Sequence, residues 1–285
     1  MQQSSNNSRR SFIRSAAGKA AVAAMAPSAF AMAETTASAS STSRIIGAND
    51  RIRIAVLGIN GRGKTHVEEI MDLASKSNVE VVALCDPDMN LLKVAAADFE
   101  KKYGKKVAIE QDFRKIYDDK TIDAVTLATP NHWHALQTIW ACQAGKDVYV
   151  EKPATHNIHE GKKMIEAAYK YNRIVQHGVQ LRSSVAIREA VKHLEEGLIG
   201  KVYMSRGLVY RRRPDIGNKG ISPIPAGLNY DLWCGPAPMR PFSKNLVHYN
   251  WHWHWNYGNG DVGNQGIHET DLCMWGLGVD QLPER

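Results

Sequence analysis

Between residues 51 and 177, short apolar segments alternate with segments of helical periodicity, and this alternation constrains the fold more than any other feature. Val67, Ile70 and Met71, for example, repeat at the i, i+3, i+4 spacing of a helix that packs on one face. Strands separated by helices form a parallel sheet that is covered on both sides. We therefore predict an α/β domain over residues 49–178, with strands at 52–57, 79–84, 107–109, 122–128, 147–150 and 173–177.

The pattern changes after residue 180. Residues 185–194 and 263–277 have helical spacing, residues 202–210 have the composition of a long strand, and residues 211–247 contain the Pro and Gly typical of loops. One or two strands do not form a stable sheet. Either this second domain, residues 179–285, completes its sheet with a partner chain, or the sequence is a fragment. We favour the fragment.

The N-terminal segment has the order of an export signal. Residues 8–14, SRRSFIR, resemble the twin-arginine pattern, an Ala-rich apolar segment follows, and residues 31–33 are a small-x-small cleavage candidate. A disordered tail with two chance arginines is the alternative. We expect a twin-arginine signal peptide at residues 1–33, a flexible linker at residues 34–48, and a periplasmic mature protein without a membrane anchor.

Charge and composition argue against several classes of protein. The 285 residues carry a net charge of +7, but four basic and no acidic residues lie in the export signal, so the remainder is only slightly basic. We expect no nucleic-acid binding, and no apolar run approaches the about 20 residues of a membrane span. The cysteines form no CxxC pair and are interpreted as core thiols, at positions 85, 142, 234 and 273.

A glycine-rich turn, residues 58–63 (GINGRG), follows the first strand and begins the first helix. At that place backbone N–H groups and the helix N-terminus can approach a pyrophosphate. Asn60 stands where a second glycine is usual, although Asn tolerates left-handed backbone angles. Asp86, at the end of the second strand, can accept a hydrogen bond from a ribose 2′-hydroxyl and would repel a 2′-phosphate. The two signals predict NAD rather than NADP; a tight turn and a helix cap are the alternatives.

Two further motifs follow strand ends, where ligands of doubly wound sheets bind. Residues 128–134 read ATPNHWH, and residues 151–153 read EKP. His132 and His134 could form half of a metal site, but no nearby carboxylate or thiol completes it, so we expect no metal. Helix capping by Asn131, with the histidines in the first turn, is an equally good interpretation of the first motif.

Six motifs together resemble the Gfo/Idh/MocA family, which includes glucose–fructose oxidoreductase and inositol dehydrogenase: GINGRG, CDPD, ATPNHWH, EKP, GLNYDLWCGPAP and GDVGNQGIHETD. The resemblance runs from about residue 50 to the last residue, and the spacing of EKP after ATPNHWH is particularly specific. It implies a Rossmann domain followed by an α/β domain with an open, mainly antiparallel sheet that lines the active site. Because that sheet also mediates oligomerisation, we expect a homo-oligomer, either a dimer or a tetramer.

The resemblance assigns roles to individual residues. Lys152 matches a lysine beside the nicotinamide and the reacting hydroxyl, and His268 matches an acid/base histidine; these are the expected catalytic residues. Asn264 stands where the family usually has an aspartate, so it cannot titrate but could orient a sugar hydroxyl. The expected cofactor-binding residues are Gly58, Asn60, Gly61, Arg62, Gly63, Asp86, Thr129, Pro130, Asn131, His134, Glu151 and Lys152. The expected substrate-binding residues are His132, Lys152, Gln180, Arg182, Asn264 and His268.

Several alternatives stay open at this point. Lys152 could be the base, if burial and the nicotinamide charge lower its pKa, or an ammonium that polarises the oxygen while His268 takes the proton. Asp271, three residues after His268, could orient the imidazole ring. Gln180 and Arg182 could equally be surface residues. On a strand, the WHWHW alternation of residues 251–255 would place three tryptophans on one face.

The sequence therefore predicts an NAD-dependent oxidoreductase that acts on a CH–OH group of a sugar, glycoside or polyol. An exported enzyme has no maintained pool of nicotinamide, so we expect the cofactor to be tightly bound and regenerated in the site. A redox-neutral, NAD-dependent glycoside hydrolase is one alternative. A non-catalytic sugar- or partner-binding protein that retains the fold is the other.

Overall fold

The computed structural model describes residues 50–210 and 212–279. The predicted signal peptide, residues 1–33, and the predicted linker, residues 34–48, lie outside these described residues. No helix within the described residues has both the length and the apolar character needed to cross a membrane.

The first domain is built on a six-stranded parallel sheet, as the sequence predicts. The spatial order is β3-β2-β1-β4-β5-β6, so the chain reverses its direction of travel across the sheet after β3 and β4 pairs beside β1. This reversal is the doubly wound arrangement, and it creates a crevice at the carboxyl ends of the strands. The strands are β1 (Ile52–Leu57), β2 (Val79–Cys85), β3 (Ala108–Glu110), β4 (Ala124–Leu127), β5 (Asp147–Glu151) and β6 (Val175–Gly178).

Helices connect the strands, and most begin at a side chain that accepts a backbone hydrogen bond. Asp88, Asn157 and Ser184 cap α2, α5 and α6 in this way. Asn131, a predicted cap, is instead the first residue of α4 and follows Pro130. The helices are α1 (Arg62–Leu73), α2 (Met89–Tyr103), α3 (Phe113–Asp118), α4 (Asn131–Gln143), α5 (Ile158–Tyr171) and α6 (Val185–Glu195).

Apolar clusters cover both faces of the sheet. Because successive strand residues point to opposite faces, Ala55 and Leu57 enter one cluster and Val56 enters the other. The predicted helical stripe that includes Val67 and Ile70 packs against the cluster of Val56. Both faces of β1 are thus buried, which is why its sequence is continuously apolar instead of alternating between apolar and polar residues.

The turn between β1 and α1 leaves no room for a side chain at two of its glycines. Gly58 has a φ of 78°, and a Cβ there would lie 2.6 Å from the carbonyl oxygen of Ala128. A Cβ on Gly63 would lie 1.8 Å from the carbonyl oxygen of Gly58. The backbone of the turn therefore packs directly against the backbone at the end of β4 and at the start of α1, with no side chain between them.

Helices and turns, with no strand, make up the described residues beyond β6. The predicted strand at residues 202–210 has no ladder partner there, since a strand needs the backbone of a neighbouring strand to satisfy its hydrogen bonds. The antiparallel sheet that the family resemblance implies remains a prediction. The elements are a 3₁₀ turn (Gln180–Ser183), α6, α7 (Tyr230–Cys234), a second 3₁₀ turn (Asn250–Trp253), a π turn (Val262–Gly266) and α8 (Ile267–Leu277).

The tryptophan alternation at residues 251–255 does not form a strand, contrary to that interpretation. Asn250–Trp253 is a 3₁₀ turn, held by local bonds from Trp251 N to Leu246 O (2.9 Å) and from His254 N to Trp251 O (3.0 Å). Trp251 is buried, whereas Trp255 is 90% exposed. The cluster around Trp251 contains Leu228, Tyr230, Trp233, Cys234, Phe242, Leu246 and Tyr257.

Gly63→Ala is expected to lower the free energy of unfolding by about 1–3 kcal/mol, because the added methyl group would overlap the Gly58 carbonyl oxygen. Gly161→Ala is the matched control. A Cβ on Gly161, inside α5, meets only Thr155 at 3.8 Å, so that helix gains about 0.5–1 kcal/mol from the lost glycine. Urea unfolding measures both variants, and equal stabilities would contradict the packing argument.

Candidate active site

A cleft of about 480 Å³ opens at the carboxyl ends of β1, β2, β4 and β5. The predicted cofactor-binding residues that line it are Gly58, Asn60, Gly61, Arg62, Asp86, Thr129, Pro130, Asn131, His134, Glu151 and Lys152. The predicted substrate-binding residues that line it are Lys152, Gln180 and Asn264. Four predicted residues lie outside its lining: Gly63, His132, Arg182 and His268.

Asp86 lies at one end of the cleft, where β2 ends. Its carboxylate accepts hydrogen bonds from the backbone N–H groups of Ile59 (3.1 Å) and Asp88 (3.0 Å). Burial raises the pKa of Asp86 to about 6, although these two bonds act in the opposite direction. A buried carboxylate without a bonded cation is costly, so its free lone pairs suit hydroxyl donors from a ligand in the cleft.

Glu151 connects the glycine-rich turn to the end of β5. Arg62 Nε donates to Glu151 Oε1 over 2.8 Å, and His66 Nε2 lies 3.0 Å from the same oxygen. Burial alone would raise the pKa of Glu151, but the bonds from His66 and Arg62 outweigh it and hold that pKa at about 2. The side chain is therefore a carboxylate at neutral pH, fixed between two residues one turn apart on α1.

Lys152 follows directly and reaches across to the second domain. Its Nζ donates to the backbone oxygen of Asn264 (2.5 Å) and to Asn264 Oδ1 (3.1 Å). Burial lowers the pKa of Lys152; the charge of Glu151 opposes this, and the charges of Arg62 and Arg213 reinforce it. Asn264 lies in the π turn, a distortion that often occurs at functional sites. The contact gives Lys152 a neutral partner at the position where the family resemblance implies an aspartate.

His268 is buried in the first turn of α8 and is not among the residues that line the cleft. Its Nδ1 has no hydrogen-bond partner among the described residues. Burial lowers the pKa of His268, and the positive charge of Lys152 acts in the same direction. The imidazole is therefore neutral near pH 7 and retains a nitrogen that can take a proton.

The interpretations of Arg182 and Asp271 need correction. Arg182 donates to both carboxylate oxygens of Asp271, from Nε at 3.0 and 2.8 Å and from Nη2 at 2.9 Å. Its guanidinium also lies over the ring of Trp275, 4.9 Å from the centroid. Arg182 thus joins the 3₁₀ turn to α8 rather than lining the cleft, and Asp271 binds this arginine instead of orienting His268.

The two histidines of the ATPNHWH motif are structural in their contacts. His132 is buried, with Nδ1 3.3 Å from the Tyr257 carbonyl oxygen and Nε2 3.1 Å from that of Trp233. Burial lowers the pKa of His132 to about 4. The predicted substrate-binding role of His132 is thus corrected: its ring joins α4 to the second domain. His134 lies between the carbonyl oxygens of Pro153 and Thr129, each 2.7 Å away.

Sequence reasoning missed two parts of the site. One of them is His66, which contacts Glu151. The sequence indicates this role only through the i, i+4 spacing of His66 from Arg62 on the same helix. The part of the wall that the second domain contributes also escaped prediction, because the alternation of residues 251–255 favours a strand and does not indicate the 3₁₀ turn that lines the cleft. The residues concerned are Trp233, His248, Tyr249, Trp251 and His252.

The stability that Glu151 contributes is expected to be lost in acid. Its pKa is about 2 in the folded protein, against 4.5 ordinarily, so the contribution is complete above about pH 4.5 and falls as the pH approaches 2. A difference of that size corresponds to about 3 kcal/mol. Glu151→Gln should therefore flatten the free energy of unfolding over this pH interval.

The control for this measurement is Glu195→Gln, which changes an exposed glutamate of α6. Urea unfolding at several pH values between 2 and 5 compares the three proteins. A Glu151→Gln variant with the same pH slope as the unchanged protein would contradict the assignment.

Two profiles of one oxidoreductase family match the sequence. Residues 52–179 match the NAD-binding Rossmann fold of that family, and residues 186–283 match its C-terminal alpha/beta domain. In order along the chain, the two profiles account for most of its length.

Curated relatives align with about half of this chain. A levoglucosan dehydrogenase from Pseudarthrobacter phenanthrenivorans is 34% identical over 128 residues, 45% of this chain and 31% of its own. A scyllo-inositol 2-dehydrogenase (NAD(+)) from Bacillus subtilis is 30% identical over 157 residues, 55% of this chain and 44% of its own. A glycosyl hydrolase family 109 protein from Shewanella baltica is 29% identical over 123 residues, 42% and 26% respectively. The chain thus spans less than half the length of these relatives.

A solved structure supports the fold over a longer stretch. The WlbA dehydrogenase from Bordetella pertussis, in complex with NADH and UDP-GlcNAcA, has a TM-score of 0.59 and 22% identity, covering 81% of this chain and 58% of its own. At this identity the similarity bears on the fold alone. Since both family profiles match in order, the chain belongs to the Gfo/Idh/MocA oxidoreductase family.

Proposed function

We propose that the protein is an NAD-dependent oxidoreductase that transfers hydride between bound NAD and a CH–OH group of a sugar, glycoside or polyol. The observation that carries this proposal is the position of Lys152, whose ammonium lies where the dinucleotide cleft meets Gln180 and Asn264. The dehydrogenase names of two relatives support the reaction class.

The residues at the strand ends fit a dinucleotide. Gly58 and the Arg62 cation, which stands at the start of α1, both line the cleft. The N-terminus of that helix would favour the negative charge of a pyrophosphate. Asp86 would accept the ribose hydroxyls, and its charge disfavours a 2′-phosphate, so NAD fits better than NADP. Bound NAD would supply the hydride acceptor.

The contacts of Lys152 and His268 favour one division of roles. Asn264 accepts two of the three N–H groups of the Lys152 ammonium, which leaves one for the substrate oxygen. His268 is neutral and close enough to Lys152 for the two charges to interact, and we assign to it the role of accepting the hydroxyl proton. Lys152 stabilises the negative charge that develops on the oxygen during oxidation.

A redox-neutral glycoside hydrolase is the second candidate. Its support is the similarity to the family 109 glycosyl hydrolase, which aligns with 42% of this chain. Such a reaction would use the same NAD cleft and the same Lys152, but would reduce the sugar again before release. The two functions therefore differ in products, not in the residues described above.

We further propose that residues 1–33 direct export and that the protein works in the periplasm with its cofactor tightly bound. Folded export and the lack of an external nicotinamide pool would make retention of NAD necessary. A homo-oligomer formed through the sheet of the second domain is part of the same proposal. Each of these statements rests on the sequence.

Lys152→Met is expected to reduce turnover by about 10²- to 10⁴-fold while the protein keeps its NAD, because the variant loses the ammonium that stabilises the substrate oxygen but keeps the cleft. Lys170→Met, at an exposed position of α5, is the control. NAD content is measured after denaturation, and absorbance of the reduced nicotinamide is followed with scyllo-inositol, levoglucosan and glycosides. No bound NAD and no redox change would contradict both enzyme proposals and leave a binding protein. Glycoside cleavage without net reduction would select the hydrolase.

Asn264→Asp is expected to extend activity to higher pH. A carboxylate in place of Asn264 Oδ1, 3.1 Å from Nζ, would raise the pKa of Lys152 by about 1 unit or more. Activity that needs the ammonium falls as the pH rises through that pKa, so the alkaline limb of kcat/KM moves upward. Asn218→Asp, on an exposed loop, is the control. An unchanged alkaline limb would contradict the role of the contact.

A further inference from the structure

Residues 246–253, which we call the aromatic strap, contribute to the wall of the cleft from the second domain. Four strap residues line the cleft: His248, Tyr249, Trp251 and His252. None of them belongs to the strand-end motifs. The strap therefore adds aromatic and polar groups on the side of the cleft that the Rossmann domain leaves open.

Two buried side chains anchor the strap in the second domain. Leu246 is 4% exposed and Trp251 is 8% exposed, both within the cluster that contains Tyr257. Trp251 N donates to Leu246 O over 2.9 Å, and Trp251 Nε1 donates to His248 O over 3.0 Å. The strap is thus a closed turn with fixed ends.

The strap spans the cleft from its ribose end to its lysine end. His248 Nε2 lies 3.1 Å from Asp88 Oδ2, and the charge of His248 also lowers the pKa of the neighbouring Asp86. At the other end, burial lowers the pKa of His252 to about 4, and the charge of Lys152 acts in the same direction. The strap therefore lies beside both Asp86 and Lys152, and a dinucleotide that extends between these two residues would pass along it.

The contact of His248 with Asp88 is built on a rigid base. Asp88 Oδ1 accepts from Asn90 N over 2.9 Å and caps α2, which leaves Oδ2 for His248. Beside it, Asn229 N donates to Pro87 O and Met89 N donates to Gly227 O. The second domain is therefore attached to the first next to Asp86, and His248 closes the remaining gap over the cleft.

The aromatic rings of the strap pack on one another, and one of them remains partly exposed. The rings of Trp251 and His252 stack with centroids 3.7 Å apart, and the ring of Tyr249 lies 4.8 Å from that of His252. Aromatic faces of this kind pack against the sugar and base rings of a nucleotide. Tyr249 remains 56% exposed, so part of its ring is available to a bound molecule.

We propose that the aromatic strap retains NAD in the cleft and that the His248–Asp88 contact is its latch, which must open before NAD leaves. The inference rests on the proposed NAD-dependent function and adds to it a residue set outside the Rossmann domain. Retention then depends on a hydrogen bond between the two domains as well as on contacts to NAD itself.

The test measures exchange of NAD from the full chain. Protein loaded with isotopically labelled NAD is mixed with an excess of unlabelled NAD, and the label that stays bound is followed over time. His248→Ala should accelerate release by about tenfold or more, since loss of a charge-assisted hydrogen bond is worth about one decade in a rate. Asp88→Asn should do the same while its amide oxygen still caps α2.

His159→Ala, which changes an exposed histidine of α5, is the matched control. Thermal unfolding of each variant shows whether faster release of NAD comes from loss of the His248–Asp88 contact or from a destabilised fold. If His248→Ala does not fold, the Asp88→Asn variant provides the test. If Asp88→Asn and a folded His248→Ala variant both release NAD at the unchanged rate, the proposed role of the strap is wrong, whereas the proposed oxidoreductase function is unaffected. A parent protein that binds no labelled NAD would overturn both.

Discussion

The buried carboxylate of Glu151 is the interaction on which the site depends. It receives Arg62 and His66 from the first helix and the backbone N–H of Lys152 from its own strand end. The glycine-rich turn and β5 are therefore held together by charge as well as by the sheet. Because the carboxylate is buried, loss of its ion pair with Arg62 is expected to be more costly than loss of an exposed ion pair. The direction of Lys152 follows from this arrangement.

Lys152, the residue after Glu151, connects this part of the site to the second domain. Its ammonium ends on Asn264, in the π turn that begins the last described helix. A neutral amide leaves the charge of the lysine uncancelled, so burial and nearby arginines can lower its pKa. An aspartate would instead stabilise the charged form. The same residue that departs from the usual family pattern thus changes the electrostatics of the site without removing a hydrogen bond.

The motif ATPNHWH shows how one segment can serve two purposes. Thr129, Pro130 and Asn131 lie in the cleft lining, while His132 and the following tryptophan hold the second domain. A Cβ on Gly235 would lie 1.9 Å from the indole of Trp133, so the domains meet there at close range. The first residues of α4 thus contribute both to the cleft and to the contact between the domains. A substitution that disturbs the contact between the domains at the start of α4 is therefore expected to disturb the cleft lining as well.

The sequence alone determined the first domain and the strand-end residues of the site. Its apolar runs and helical stripes predicted all six strands, and parallel strands bring their carboxyl ends to one edge, which is why Asp86 and Lys152 line the same cleft. Only the tertiary structure decided the remaining partners. His66, His248 and Asp271 find Glu151, Asp88 and Arg182 across separations of 85, 160 and 89 residues. Local periodicity carries no information about such pairs, because they depend on where two distant segments pack together.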